Sequence, residues 1–227
     1  MATSCEMVVG DVHGSWGALN NLINSKKPNI ILQCGDFGFW PSLHPIGPKD
    51  IKNKDCKIFW CDGNHEDHWA LGKLKNNEVA PNVFYMKRGS TLTLPDGRTV
   101  LFMGGAESVD RKWRTIGFDW FPDEIIKPRE LDFLPDTTVD IVISHTCPLS
   151  FDMDSFVITK DKLIDPSRHA LSYVLHCYKP KLWYFGHFHK WGKGKFEGCE
   201  WTALSMPGEI GWWTKLEQKN VRRKDES

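Results

Sequence analysis

The stretch Lys57-Ile58-Phe59-Trp60-Cys61-Asp62-Gly63-Asn64-His65-Glu66 joins a strand-length apolar run to a glycine, an amide, an imidazole and a carboxylate. Aromatic and β-branched residues in a run this short, closed by Asp-Gly, read as a buried strand and the turn at its C-terminal end. A strand entering a core does not ordinarily finish on three polar side chains. Their presence implies something at the strand end for them to bind.

Similar runs recur at 7–9, 30–32, 58–61, 83–86, 100–103, 141–143, 182–185 and 201–204. Residues 91–94 and 99–102 flank Pro95-Asp96-Gly97-Arg98, a hairpin turn. Helices are expected at 15–25 and at 167–177, the latter behind Asp165 as N-cap and Pro166 at the first helical position. A further helix is expected at 123–134, broken or restarted at Pro128. Early strands alternating with helices, followed by a hairpin-rich middle, imply an α/β fold with mixed sheets. With no internal repeat and no long linker, 1–218 reads as one domain. Within it, 104–134 is rich in Trp, Arg, Asp and Pro and lacks a strand pattern, as an insertion over an active site would. Residues 219–227 read as a charged, frayed tail.

The chain of 227 residues is long enough for a sizeable core, and 41% hydrophobic with 26% charged residues is ordinary globular composition. A formal net charge of zero argues against a broad electrostatic grip on nucleic acid, though not against a local basic groove. Seven scattered cysteines without a CxxC pair read as free thiols in a reducing compartment. No N-terminal apolar run is long enough for a signal peptide, and none approaches the about 18 residues of a membrane span. A cytoplasmic protein with no membrane partner is the expectation.

Five strand ends carry metal-binding residue types. They are Asp11 and His13, Asp36, Asn64, His145, and His187 with His189. Neighbouring strand ends converge on one sheet edge, so these seven side chains would meet there. Carboxylate, amide and imidazole without thiolate suit Mn, Fe, Zn or Mg. A lone histidine at a strand end is ordinary. Asp11-x-His13 and His187-x-His189 are not, because residues i and i+2 of an extended segment share a side and can grip one ion. Flanking glycines let the backbone turn sharply beside them.

In order, GDVHG (10–14), GDFG (35–38), GNHE (63–66), SHTCP (144–148) and GHFH (186–189) resemble the motif set of the calcineurin-like metallophosphoesterase superfamily. The resemblance runs from Asp11 to His189. It implies a four-layer α/β/β/α sandwich of two mixed sheets, with a dinuclear metal site at the strand C-terminal edge. It implies one divalent ion on Asp11, His13, Asp36 and His189, and another on Asp36, Asn64, His145 and His187, with Asp36 bridging. Mn²⁺ leads, with Fe, Zn, Ni or Mg as alternatives. Cations about 3.5–4 Å apart activate a water and clamp the phosphoryl group of a mono- or diester during in-line attack. Asp36 and His65 would then carry the catalysis. By resemblance, His65 stabilises or protonates the leaving oxygen, so it is expected to be protonated beside a carboxylate. Glu66, Asp67 and His68 are expected to shape the site or cap the next helix.

The sequence departs from the protein Ser/Thr phosphatases of that superfamily at GDxVDRG. Phe39 and Trp40 stand where a carboxylate and a phosphate-binding arginine would be. The segment GGAESVDRKWRTIGFDWFPDE (104–124) looks more like small phage- and bacterium-type members. Arg111 and Arg114 are expected to replace the missing arginine, on one face of a single helical turn. Arg111 is favoured because it adjoins Asp110. Among eleven tryptophans, the pairs Phe39-Trp40, Trp120-Phe121 and Trp212-Trp213 are candidates either for stacking a base or for packing. A phosphate ester is the expected substrate, with a nucleotide or nucleic-acid diester leading. A protein Ser/Thr phosphatase-like monoesterase and a non-catalytic scaffold on the same fold are the alternatives. Retention of all seven ligands and His65 weighs against the scaffold.

Overall fold

The computed structural model describes residues 5–41, 47–52, 55–153 and 164–217. The proposed tail at 219–227 lies outside the described residues. The strands are β1 (Glu6–Val9), β2 (Ile30–Gln33), β3 (Lys57–Trp60), β4 (Glu78–Ala80), β5 (Val83–Tyr85), β6 (Thr91–Thr93), β7 (Thr99–Met103), β8 (Ile141–Ser144), β9 (Leu182–Phe185), β10 (Gly192–Phe196), β11 (Cys199–Ala203) and β12 (Trp213–Lys215). The helices are α1 (Trp16–Lys26), α2 (His68–Gly72), α3 (Pro128–Leu131) and α4 (Pro166–Tyr178).

The strands form two six-stranded sheets, ordered β12-β1-β2-β3-β5-β4 and β10-β11-β9-β8-β7-β6. In each, four central strands are parallel and an antiparallel strand closes each edge. Strand alternation explains the layers. Met7 and Val9 of β1 face the side of α1, whereas Val8 faces the other sheet with Leu32, Ile141, Ile143 and Tyr184. On β8, Val142 turns outward to Leu171 and Val174 of α4. The result is helix, sheet, sheet, helix, as the sequence implied. Each of these fully buried aliphatic side chains contributes about 1.5–3 kcal/mol through burial. Among the described residues, no helix is long and apolar enough to cross a membrane.

Local signals hold where they are strongest. The Asp165 side chain accepts the Ser167 N–H at 2.8 Å and Pro166 opens α4. The 94–98 turn closes through Leu94 N–H to the Arg98 carbonyl at 2.9 Å. The helix expected at 123–134 is instead a 3₁₀ turn at Pro122–Glu124 and the single turn of α3, which Pro128 opens. A proline has no N–H for a helix arriving from upstream, so it can only start one.

Candidate metal centre

Because the central strands of both sheets are parallel, their C-terminal ends share an edge, and every candidate ligand sits on a turn leaving such a strand. Four of these ligands hold left-handed backbone: His13 (φ 47°), Asp36 (φ 50°), His187 (φ 66°) and His189 (φ 52°). Such conformations cost about 1–3 kcal/mol each in non-glycine residues, and they cluster where a site imposes them. The turns pack so tightly that Gly186 has no room for a Cβ against the Asp11 carboxylate, nor Gly63 against that of Asp36.

Ligand atoms of Asp11, His13, Asp36 and His189 all lie within 4.8 Å of one another. His189 Nε2 stands 3.0 Å from Asp11 Oδ2 and 3.1 Å from His13 Nε2. Beside this group, Asn64 Oδ1 lies 3.0 Å from His145 Nε2 and 3.1 Å from His187 Nδ1. His145 Nε2 is 3.3 Å from Asp36 Oδ1, while Asp36 Oδ2 faces His13 Nε2 at 3.6 Å. Asp36 thus presents one oxygen to each cluster. Two imidazole nitrogens facing each other and a carboxylate fit a shared cation better than they fit one another, and the donor types suit a borderline divalent ion.

The electrostatics agree. Burial raises the Asp36 carboxyl, but the imidazoles of His145, His65 and His13 outweigh it and hold it well below the usual carboxylate range. Burial opposes charge on His145, yet Asp36 and then Asp11 carry its imidazole up to about 10. The His145 Nδ1–H donates to the Cys34 carbonyl at 2.9 Å, which leaves Nε2 as its candidate ligand atom. A proton on Nε2, favoured by the raised pKa, would compete with an ion for that atom. Mn²⁺ uptake at pH 7 is expected to release about one proton from His145. Calorimetry in buffers of different ionisation enthalpy reads this number directly, and heats independent of buffer would contradict it.

Glu66 is fully buried and stitches two motif turns together, accepting Gly38 N–H at 3.0 Å and Gly63 N–H at 2.6 Å. Burial and the nearby Asp36 push it up to about 8. Asp67 caps α2 by accepting Ala70 N–H at 2.9 Å, and His68 Nε2 lies 3.1 Å from the Gly63 carbonyl. These are the shaping and capping roles expected of them.

His65 donates its backbone N–H to Asp36 Oδ1 at 2.8 Å, and its ring stands edge-on to His13 with centroids 5.2 Å apart. Its Nε2 meets Arg114 Nη2 at 3.0 Å. A guanidinium only donates, so Nε2 accepts and the ring is neutral in the substrate-free site. Burial first, then Arg114 and the neighbouring histidines, outweigh Asp36 and lower the imidazole pKa. The expectation of a protonated His65 gives way, because the side-chain partner is a cation and the carboxylate is engaged through the backbone.

Arg114 is half-buried, with Nε on Asp110 at 2.8 Å and Nη1 on the Asp119 carbonyl at 3.2 Å. Arg111 is exposed and pairs with Glu107 at 2.8 Å. The two do not share a face. Residues 111–113 make one 3₁₀ turn and Arg114 is already extended. The proximity to Asp110 that favoured Arg111 in the sequence belongs in space to Arg114. Of the aromatic pairs, Phe39 and Phe121 are core residues and the Trp120 indole N–H donates to Glu124 at 2.9 Å. The exposed aromatics of the insertion are Trp113, Phe118 and Phe133, and exposed Trp69 on α2 packs edge-on against Phe121.

Two polar groups escaped the sequence reading. Asn64 Nδ2 donates to Ser108 Oγ at 3.1 Å, and Ser108 donates on to Glu124 at 2.9 Å. Arg88 anchors the insertion through the Asp62 carboxylate at 2.6 Å and the carbonyls of Asp123, Glu124 and Ile125. No spacing rule links Asn64, Ser108 and Glu124, since their contacts cross loops without a period.

The fold has relatives of known structure. Phosphopantetheinyl hydrolase from Mycobacterium tuberculosis superposes with a TM-score of 0.54 at 12% identity, covering 96% of this chain and 98% of that one. A putative 5′-nucleotidase from Staphylococcus aureus superposes with a TM-score of 0.51 at 15% identity, covering 89% of this chain and 48% of that one. At such identities the likeness speaks for the fold. No curated protein matches the sequence. The family model for calcineurin-like phosphoesterases matches residues 7–191, which span every candidate ligand from Asp11 to His189, and the chain belongs to that family.

Proposed function

We propose that this chain is a dinuclear metal-dependent phosphoesterase whose ions share Asp36. The observation that supports this most is the division of the Asp36 carboxylate between two ligand groups, Oδ1 toward His145 and Oδ2 toward His13. Asp11, His13, Asp36 and His189 would hold one ion, and Asp36, Asn64, His145 and His187 the other, with Mn²⁺ the leading candidate. When bound, such a pair supplies Lewis-acid stabilisation of phosphoryl oxygens and a water of lowered pKa.

The chain's own residues do the rest. Asp36 orients His65 through the backbone N–H, and the His65 ring, beside His13, would meet the leaving oxygen. Arg114 brings a charged donor fork to the same point, with Asp110 and the Asp119 carbonyl holding its remaining nitrogens. It takes the place of the arginine missing at Trp40. The exposed faces of Trp113 and Phe118, close in sequence to Arg114, favour an ester carrying an aromatic group, such as a nucleotide or nucleic-acid diester.

Hydrolysis of bis-p-nitrophenyl phosphate and p-nitrophenyl phosphate by chelator-stripped protein, with and without Mn²⁺, tests the activity. Metal-dependent turnover of either supports the proposal, and turnover of neither supports a scaffold. Within the proposal, Arg114→Ala should raise KM, lower kcat and cost about 10–100-fold in kcat/KM, the worth of a charged hydrogen bond. Metal content should not change. Arg111→Ala should stay near wild type, since exposed pairs contribute little. A larger loss for Arg111→Ala would reverse the assignment.

A further inference from the structure

We propose that Glu124 and Ser108 fix the orientation of the Asn64 side-chain amide, so that Asn64 offers oxygen rather than NH₂ to an ion. The proposal rests on Asn64 being a ligand, as read above.

The argument is one of hydrogen-bond direction. An ionised carboxylate only accepts. Glu124 is fully buried. Its Oε1 accepts the Ser108 backbone N–H at 2.7 Å and the Trp120 indole N–H at 2.9 Å. Neither of those donors can be reversed. Its Oε2 accepts the Ser108 hydroxyl at 2.9 Å. The single Ser108 proton is thereby committed to Glu124, and Ser108 Oγ can only accept from Asn64. Asn64 must therefore present Nδ2 to Ser108 at 3.1 Å and Oδ1 to the cluster of His145 and His187. An inverted amide would place NH₂ there, which has no lone pair to give a cation. Arg88 holds the acceptor end in place by donating to the carbonyls of Asp123, Glu124 and Ile125. Glu124 and Ser108 are positioning residues that act through Asn64.

Glu124→Gln separates this relay from simple packing. The glutamine oxygen must stay where two fixed N–H groups converge, so its NH₂ falls on Ser108 Oγ. The Ser108 proton then turns toward Asn64 and favours the inverted amide. Ser108→Ala removes the acceptor without inverting anything. The isosteric change should therefore be the more damaging of the two, the reverse of what lost packing would give.

The test uses the full chain, as wild type, E124Q and S108A, at about pH 8.5, above the range of a carboxyl that burial pushes up to about 7. Mn²⁺ is titrated calorimetrically into stripped protein, the Asn64 side-chain ¹⁵N–H₂ resonances are recorded without metal, and thermal midpoints check folding. Expected for E124Q are shifted Asn64 resonances and about 10–100-fold weaker binding of one of two ions, with the other unchanged. S108A should lose less. A folded E124Q with unchanged resonances and both affinities intact overturns the relay. Should E124Q fail to fold, S108A decides by whether its Asn64 resonances move. A wild type that takes up one ion while E124Q still shifts the Asn64 amide leaves the relay standing and removes the ligand reading.

Discussion

Asp36→Asn is expected to strip the site of both ions and abolish phosphate-ester hydrolysis. The isosteric amide keeps the shape of a residue only 1% exposed, so the fold should survive. What changes is the donor set. Oδ1 lies 3.3 Å from His145 Nε2 and also accepts the His65 backbone N–H, and Oδ2 lies 3.6 Å from His13 Nε2. An amide can satisfy one cluster with its oxygen, and it then offers NH₂ to the other. It also removes the negative charge that carries His145 up to about 10. The loss in kcat/KM should exceed the about 10–100-fold typical of a residue acting from behind a ligand. Elemental analysis and turnover of the same preparation measure it. Two tightly held ions with wild-type activity in Asp36→Asn would contradict the sharing.

His65→Ala is expected to lower kcat about 10²–10⁴-fold, the range for acid–base assistance, while both ions stay, the neutral ring serving the leaving oxygen once substrate draws Arg114 away from Nε2. The ring is not among the seven candidate ligands, and His65 reaches Asp36 through its backbone N–H. Alanine keeps that N–H. The loss should shrink for nitrophenolate esters, whose leaving oxygen needs little help, and grow for alkyl esters. Because the substrate-free ring is neutral and accepts from Arg114, Arg114→Ala and His65→Ala should be non-additive, as residues in direct contact are. A His65→Ala protein without metal would make the ring a ligand and end this role.

How much of this was legible beforehand follows from where the information lies. Asp11, His13, Asp36, Asn64 and His187 stand beside glycines, and all seven candidates including His145 and His189 follow short apolar runs whose strand direction alone brings such ends together. The N-cap and Pro166 announced α4 because both act within one turn of chain. The edge strands β4 and β12 were not legible, since three residues each carry too little pattern. The helix expected at 123–134 overlooked that Glu124 faces Ser108 and Trp120, a tertiary demand that local propensity does not contain. Arg111 was preferred to Arg114 for its nearness to Asp110 in sequence, but the chain leaves the helical turn at Arg114, whose guanidinium takes Asp110 in space. The aromatic pairs at Phe39 and Phe121 went to the core, where Phe39 packs on Trp60 with centroids 5.8 Å apart. Composition cannot tell a packing ring from an exposed one.

The most direct test of the shared Asp36 is the electron paramagnetic resonance spectrum of stripped wild-type protein titrated with Mn²⁺, read against elemental stoichiometry. Two ions per chain with an exchange-coupled signal are expected, because a carboxylate that serves both ions brings them to about 3.5–4 Å. One ion per chain, or two that remain magnetically independent, would contradict it.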